Sequence, residues 1–286
     1  MNHLRNATSN FSFELFPPKT PAGMEKLDAN IELLNAVRPG YFSVTYGAGG
    51  STRDRTFETV DMLRAKCIDT APHLACIGSS EGEIRDILAR YRDQGIQRIV
   101  ALRGDLPSGM GIEAAGDFRY ADELVAFIRR ETGDHFHIEV AAYPEVHPQA
   151  VDAQKDLENF KRKVDAGANS AITQYFYNSD AYFGFCNHCE GLGVRITIVP
   201  GIMPITNFTQ LARFSDGCGA EIPRWIRKRL EAFGDDLESI RAFGHEVVLG
   251  LCQKLLDGGA PGLHFYTMNQ SGPALRLWHD LGLGEA

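Results

Sequence analysis

Eight short runs rich in β-branched and aromatic residues recur along the chain, each followed by a stretch with helical spacing. They are FSFELF (11–16), YFSVTY (41–46), HLACIG (73–78), RIVALR (98–103), HIEVAAY (137–143), SAITQYF (170–176), ITIVPG (196–201) and GLHFYT (262–267). After the first run, Met24, Leu27, Ile31, Leu34 and Val37 fall on one helical face, which predicts a helix over 24–37. EGEIRDILARYRDQG (81–95) has the same period and closes on Gly95, a residue suited to ending a helix. NFTQLARFSDG (207–217) behaves likewise, and 202–261 is long enough for more than one helix.

Eight β-α units without a linker or low-complexity segment predict one α/β domain over 1–286, an eight-stranded parallel β/α (TIM) barrel. Residues 1–10 form a short N-terminal extension in this reading. A nucleotide-binding open sheet would carry G-x-G-x-x-G after its first strand. Here FPPKTPAG stands in that place, and the glycines of YGAGGST (46–52) have a different spacing.

The net charge of −8 argues against a nucleic-acid surface, so any anionic ligand must be held by a few placed cations. No apolar run reaches the length of a membrane span, and MNHLRNATSN lacks a signal-peptide core, so a cytoplasmic protein is expected. The six cysteines are scattered, as suits reduced thiols. Only CNHC (186–189) has Cys-x-x-Cys spacing; with no second pair, it reads as two thiols on a helix, and no metal is expected.

In a β/α barrel, functional side chains gather where strands end. Glu14 lies in the first run, followed by Pro17-Pro18; Thr45-Tyr46 end the second and Arg103-Gly104-Asp105 the fourth. Tyr143 through Pro148 end the fifth, Gln174-Tyr175-Phe176-Tyr177 the sixth and Tyr266-Thr267-Met268-Asn269 the last. His73 opens the third run. Taken singly, each has a structural alternative: a Glu14–Arg103 ion pair, a solvated turn at 103–105, or hydrogen-bonded core histidines at 73 and 264. Flanked by Phe11, Phe13, Leu15 and Phe16, Glu14 is expected to lose solvation in its charged form and so to serve as a proton donor. Asp105, beside Arg103 on a wetter loop, is expected to stay ionised.

The ordered motifs FSFELFPPKT, SVTYGAGGSTRDRT, HLACIG, ALRGD, AAYPEVHP, ITQYFYN, VPGIMPI and LHFYTMN resemble the methylenetetrahydrofolate reductase family, in its bacterial form with a catalytic domain only, across 11–270. The resemblance implies a barrel that holds FAD non-covalently. It also implies a ping-pong reaction in which NADH or NADPH reduces the flavin, and 5,10-methylenetetrahydrofolate then becomes 5-methyltetrahydrofolate. Such a product supplies methyl groups for methionine synthesis. Homo-oligomers are the expectation from relatives, as is the absence of nucleic-acid or membrane partners; NADH is preferred by analogy with bacterial members.

By the same resemblance, Glu14 is the general acid that assists opening of the folate ring, and Asp105 tunes the flavin and orients the pterin. Gln174, Gln210, Phe214 and Tyr266 are implied as substrate contacts, with Gln174 and Phe214 also serving the nicotinamide. Thr45, Tyr46, Ala48, His73, Arg103, Gly104, Asp105, Tyr143, His147, Asp156 and Lys163 are implied as FAD contacts. Of these, Arg103, His147 and Lys163 suit a pyrophosphate and Asp156 suits ribose or adenine donors. Gln270 is a departure, since many relatives have arginine there, and the regulatory domain of eukaryotic relatives is not expected. Two other readings compete: a flavin-free barrel enzyme on folate, against which the implied flavin positions speak, and a non-catalytic folate- or flavin-binding subunit, against which Glu14 and Gln174 speak.

Overall fold

The computed structural model describes residues 10–46, 53–104 and 116–283. The chain runs β1 (Phe11–Leu15), α1 (Pro21–Asn35), β2 (Tyr41–Val44), α2 (Arg53–Ala65), β3 (Thr70–Ala75), α3 (Glu81–Asp93) and β4 (Arg98–Leu102). It continues through α4 (Ala121–Thr132), β5 (His137–Ala142), α5 (Ala153–Asp165), β6 (Ser170–Thr173) and α6 (Ser179–Gly191). The final part comprises β7 (Thr197–Val199), β8 (Gly201–Ile202), α7 (Phe208–Cys218), α8 (Arg224–Phe233), α9 (Leu237–Asp257), β9 (Leu263–Tyr266) and α10 (Ser271–Asp280).

The helices begin where side chains can satisfy their first amides. Thr20 caps α1 by accepting the Gly23 amide at 3.1 Å, and Pro21 follows where its missing N–H costs nothing. Ser80 and Glu83 form a reciprocal capping box at α3, with bonds of 3.2 and 2.9 Å. Gly95 takes φ +71° just past that helix. The interval 202–261 holds three helices, α7 to α9.

All strand pairs are parallel, in the order β7-β6-β5-β4-β3-β2-β1-β9-β8. This is a nearly closed β/α barrel with nine strand segments rather than the eight expected. The run ITIVPG was expected to form one strand and forms two, because Pro200 has no N–H to donate. Before it, β7 pairs with β6; after it, β8 pairs with β9, and the His264 amide donates to the Pro200 carbonyl at 3.0 Å. The two segments together fill one position in the wall, which bends across the closing seam. A second correction concerns β3, which begins at Thr70 instead of His73, so His73 lies well inside the strand, beside Val100. Pro72 disguised that start as a turn.

Alternation along each strand sorts side chains into two shells. Phe13, Leu15, Phe42, Val44, Ile99, Val140 and Phe265 belong to the large apolar core beneath the helices. Phe13 packs against Phe42, Phe265 and Trp278 at 5.7, 5.7 and 5.4 Å between ring centroids. The opposite parity faces the barrel axis, where Tyr41, Ala71, Val100 and Ile172 form a small separate cluster. Among them stand buried polar residues, including Ser12, Ser43, Glu139, Ser170 and His264.

Gly201 marks the seam. A Cβ there would lie 2.2 Å from the Thr173 carbonyl oxygen and 2.6 Å from the Tyr266 ring. Its amide donates to the Thr173 hydroxyl at 2.9 Å. Gly201→Ala is therefore expected to lower the unfolding free energy by about 1–3 kcal/mol in urea denaturation, through overpacking of the new methyl group against the Thr173 carbonyl and the Tyr266 ring. Gly217→Ala, on α7 with open space around its Cβ, is expected to leave stability unchanged or raise it by up to about 1 kcal/mol.

Candidate active site at the strand exits

The axis-facing parity that begins with Ser12 on β1 reaches its C-terminal end at Glu14. Glu14 is in register with Ser43 on β2 and Tyr266 on β9. Phe13 and Leu15, its neighbours in sequence, point into the outer core instead. The expectation that aromatic neighbours surround the Glu14 carboxyl is corrected accordingly: its partners are two histidines. His73 Nε2 lies 3.5 Å and His264 Nε2 3.6 Å from the same oxygen, Oε2, and Glu14 is 6% exposed. Arg103, the structural alternative, turns its guanidinium to the Gly104 carbonyl and to Gln149 Oε1, at 3.2 and 2.5 Å.

Burial pushes the His73 imidazole below its usual pKa, against the opposing pull of the Glu14 carboxylate. His73 Nε2 is buried and has no hydrogen-bond partner among the described residues. Tyr266 reaches across the mouth, where its hydroxyl donates to the Thr173 carbonyl at 2.7 Å, next to Gln174. Burial, reinforced by Glu14, holds that phenol well above its usual pKa, so it remains a neutral donor.

The last strand also clamps the first. The Thr267 hydroxyl donates to the Glu14 carbonyl at 2.6 Å. The Asn269 amide group meets the Phe16 backbone reciprocally, accepting its N–H at 2.8 Å and donating to its carbonyl at 2.7 Å. Asn269 adopts φ +56°, a conformation asparagine tolerates better than most residues.

Around the rest of the mouth, the Thr45 amide is bound to the Leu15 carbonyl at 2.9 Å, and its own carbonyl accepts the Thr56 hydroxyl at 3.0 Å. Tyr46 is half-buried, which raises its phenol pKa. Gly104 has φ +85°, and a Cβ there would press on Ala75 at 2.9 Å, so the β4 exit requires glycine. Beyond β5, the Tyr143 and His147 rings meet edge to face at 4.5 Å. Asp156, in the first turn of α5, accepts the His147 amide at 2.9 Å. Lys163 on the same helix donates to the Ala141 carbonyl, and burial pushes its ammonium down to about 8 against the pull of Asp156.

Gln210 and Phe214 lie one helical turn apart on α7, the first exposed and the second half-buried. Tyr175, immediately after Gln174, ties that helix to the β6 exit through a 3.0 Å contact with the Ser215 hydroxyl. Ala48 and Asp105 lie outside the described residues. Cys186 and Cys189 sit on α6 with burial raising both thiol pKa values, that of Cys189 to about 12. No group of three or more potential metal ligands occurs among the described residues, and none of the described helices is long and apolar enough to cross a membrane.

Sequence reasoning named Glu14, His73 and Tyr266, which the structure brings to one mouth. It gave His264 only the reading of a hydrogen-bonded core histidine, and placed Thr267 and Asn269 at a strand exit without a specific role. The missing signal was alternation: His264 precedes Tyr266 by two and stands in register with Ser12, two before Glu14.

Comparison with known proteins agrees with this architecture. Residues 1–282 match the family profile described as methylenetetrahydrofolate reductase. The 5,10-methylenetetrahydrofolate reductase of Escherichia coli (strain K12) is 41% identical over 275 residues, covering 96% of this chain and 91% of its own. The probable methylenetetrahydrofolate reductase (NADH) of Oryza sativa subsp. japonica is 40% identical, covering 96% of this chain and 48% of its own. Among solved structures, an uncharacterized protein from Clostridium thermocellum that binds two copies of 5-methyl-5,6,7,8-tetrahydrofolic acid shares the fold. Its TM-score is 0.64 at 16% identity, over 90% of this chain and 87% of that one. With the family profile spanning nearly its whole length, the chain belongs to the methylenetetrahydrofolate reductase family.

Proposed function

We propose that the protein reduces 5,10-methylenetetrahydrofolate to 5-methyltetrahydrofolate with electrons from NADH or NADPH through bound FAD, in a ping-pong sequence. The observation that carries this reading is the placement of Glu14: a buried carboxyl at the mouth of a barrel of this family, facing two imidazoles. As general acid, Glu14 protonates the nitrogen that leaves the methylene carbon when the substrate's five-membered ring opens. Gln174, Gln210, Phe214 and Tyr266 are the proposed substrate contacts, with Phe214 offering a flat apolar surface to whichever heterocycle is present.

The donor set suits FAD. His73 offers a buried ring nitrogen without a hydrogen-bond partner among the described residues. Arg103, His147 and Lys163 would face the pyrophosphate in a protein of negative net charge. Thr45, Tyr46, Gly104, Tyr143 and Asp156, with Ala48 and Asp105, complete the proposed set. FAD supplies hydride transfer between nicotinamide and folate; the protein supplies binding, orientation and the proton. The same reading makes the product a methyl source for methionine synthesis and the enzyme a cytoplasmic homo-oligomer.

The purified protein is expected to show oxidised-flavin absorption that bleaches with NADH and recovers on adding methylenetetrahydrofolate. A protein unable to take up FAD sinks the proposal. Glu14→Gln should keep flavin reduction within about threefold while slowing folate reduction by 10²-fold or more, the scale of general-acid catalysis. Equal losses in both half-reactions would make Glu14 structural.

Lys163 yields a test by proton counting. A group held at about 8 is partly deprotonated near that pH, and an arriving pyrophosphate raises its proton affinity. FAD binding at pH 8–8.5 is thus expected to take up a fraction of a proton, seen in calorimetry as binding heat that varies with buffer ionisation enthalpy. The uptake should fade at pH 6.5, where the lysine is already charged, and should be absent in Lys163→Met.

A further inference from the structure

The loop that leaves β5 reaches sideways to the helix that carries Gln210 and Phe214. Glu145, half-buried in that loop, accepts the backbone amide of Glu221 on its Oε2 at 2.8 Å. Glu221 lies just past the end of α7, in the connector to α8. A second contact joins the same two segments. Gly219 caps α7 at φ +78° with its bare Cα toward Pro148, and a Cβ there would lie 3.2 Å from the proline Cδ. The two acidic side chains do not draw the segments together. Burial raises the Glu145 pKa, the Glu221 amide opposes that rise, and the Glu221 carboxylate adds to it. The carboxylates repel, so the attraction is carried by the backbone amide.

The backbone beside this contact is strained. Val146, between Glu145 and His147, adopts φ +65°, a region that a β-branched residue enters only under constraint. Its side chain is 37% exposed, so its own packing supplies little of that constraint. The bonds on either side supply it: Glu145 to the Glu221 amide, and the His147 amide to Asp156 at 2.9 Å.

We propose that Glu145 is a positioning residue that fastens α7, through the Glu221 amide, to the loop carrying Tyr143 and His147, and so sets where Gln210 and Phe214 meet a ligand in the mouth. The strut thereby fixes the spacing between the flavin side and the substrate side. Without it, α7 keeps its contact between Ser215 and Tyr175 and pivots about it. The helix stays folded while the placement of Gln210 and Phe214 loosens. This consequence rests on the functional reading above; the amide contact is a property of the protein alone.

Two measurements on the purified protein test the proposal. In hydrogen exchange, the Glu221 amide is expected to exchange about tenfold faster in Glu145→Ala, the scale of one lost bond to a charged acceptor. In steady-state kinetics, Glu145→Ala should raise KM for NADH and for methylenetetrahydrofolate by about tenfold. Its kcat should stay within about threefold, as for lost binding contacts rather than lost chemistry, and its flavin absorption should be retained. Glu145→Gln keeps an oxygen to accept the amide and loses the repulsion from Glu221, so it should restore slow exchange and native KM. Unchanged exchange in Glu145→Ala, a fall in kcat with unmoved KM values, or a Glu145→Gln protein that behaves like Glu145→Ala would each overturn the proposal. The exchange measurement needs neither folate nor nicotinamide. A protein whose Glu221 amide responds as expected yet fails to reduce folate would refute the functional reading and leave the strut standing.

Discussion

Two-residue alternation along the parallel strands is the constraint from which the site follows. In the outward parity, Phe13, Leu15, Phe42 and Phe265 build an apolar shell that the helices cover. The inward parity is free to be polar because the outer shell supplies most of the burial, and Ser12, Tyr41, Glu139 and Ser170 find hydrogen-bond partners there. Glu14 can thus sit in a strand of aromatic residues without touching them. Its desolvation comes from depth in the barrel, and its compensation from imidazoles contributed by β3 and β9.

Much of this was legible in the residues. Strand runs and helical spacing indicated the barrel, and the polar ends of the runs indicated the mouth. What was not legible depends on register and closure. Pro200 and Gly201 read as the end of a strand, whereas they carry the wall from one neighbour to the next. Pro72 hid the start of β3 and made His73 look marginal to the strand. The partners of Glu14 come from segments about 60 and 250 residues away, and no local pattern pairs them. The polar parity of Ser12, Tyr41, Glu139 and His264 was present in the runs, but its meaning requires knowing which way each strand faces.

The rim of the site has a second physical character. Gln210 and Phe214 ride on α7, which Tyr175 holds to the β6 exit by one hydroxyl contact. At the β5 exit, Asp156 and Lys163 are already engaged with backbone groups of the strand and its loop. Those side chains brace the loop that carries Tyr143 and His147 and stand beside it as charges. At this exit the support comes from side chains on the neighbouring helix, whereas at Glu14 it comes from groups within the barrel.

The clasp between Asn269 and Phe16 joins segments 253 residues apart in sequence. Contacts of such separation carry the largest loop-closure entropy and form late, once intervening units have docked. During synthesis, the strand bearing Glu14 emerges first, while its last-strand partners leave the ribosome only near the end. Until then the acid has neither His264 beside it nor Thr267 and Asn269 to hold its backbone. Completing the barrel wall and giving Glu14 its last-strand neighbours are consequently one event in the folding of the chain.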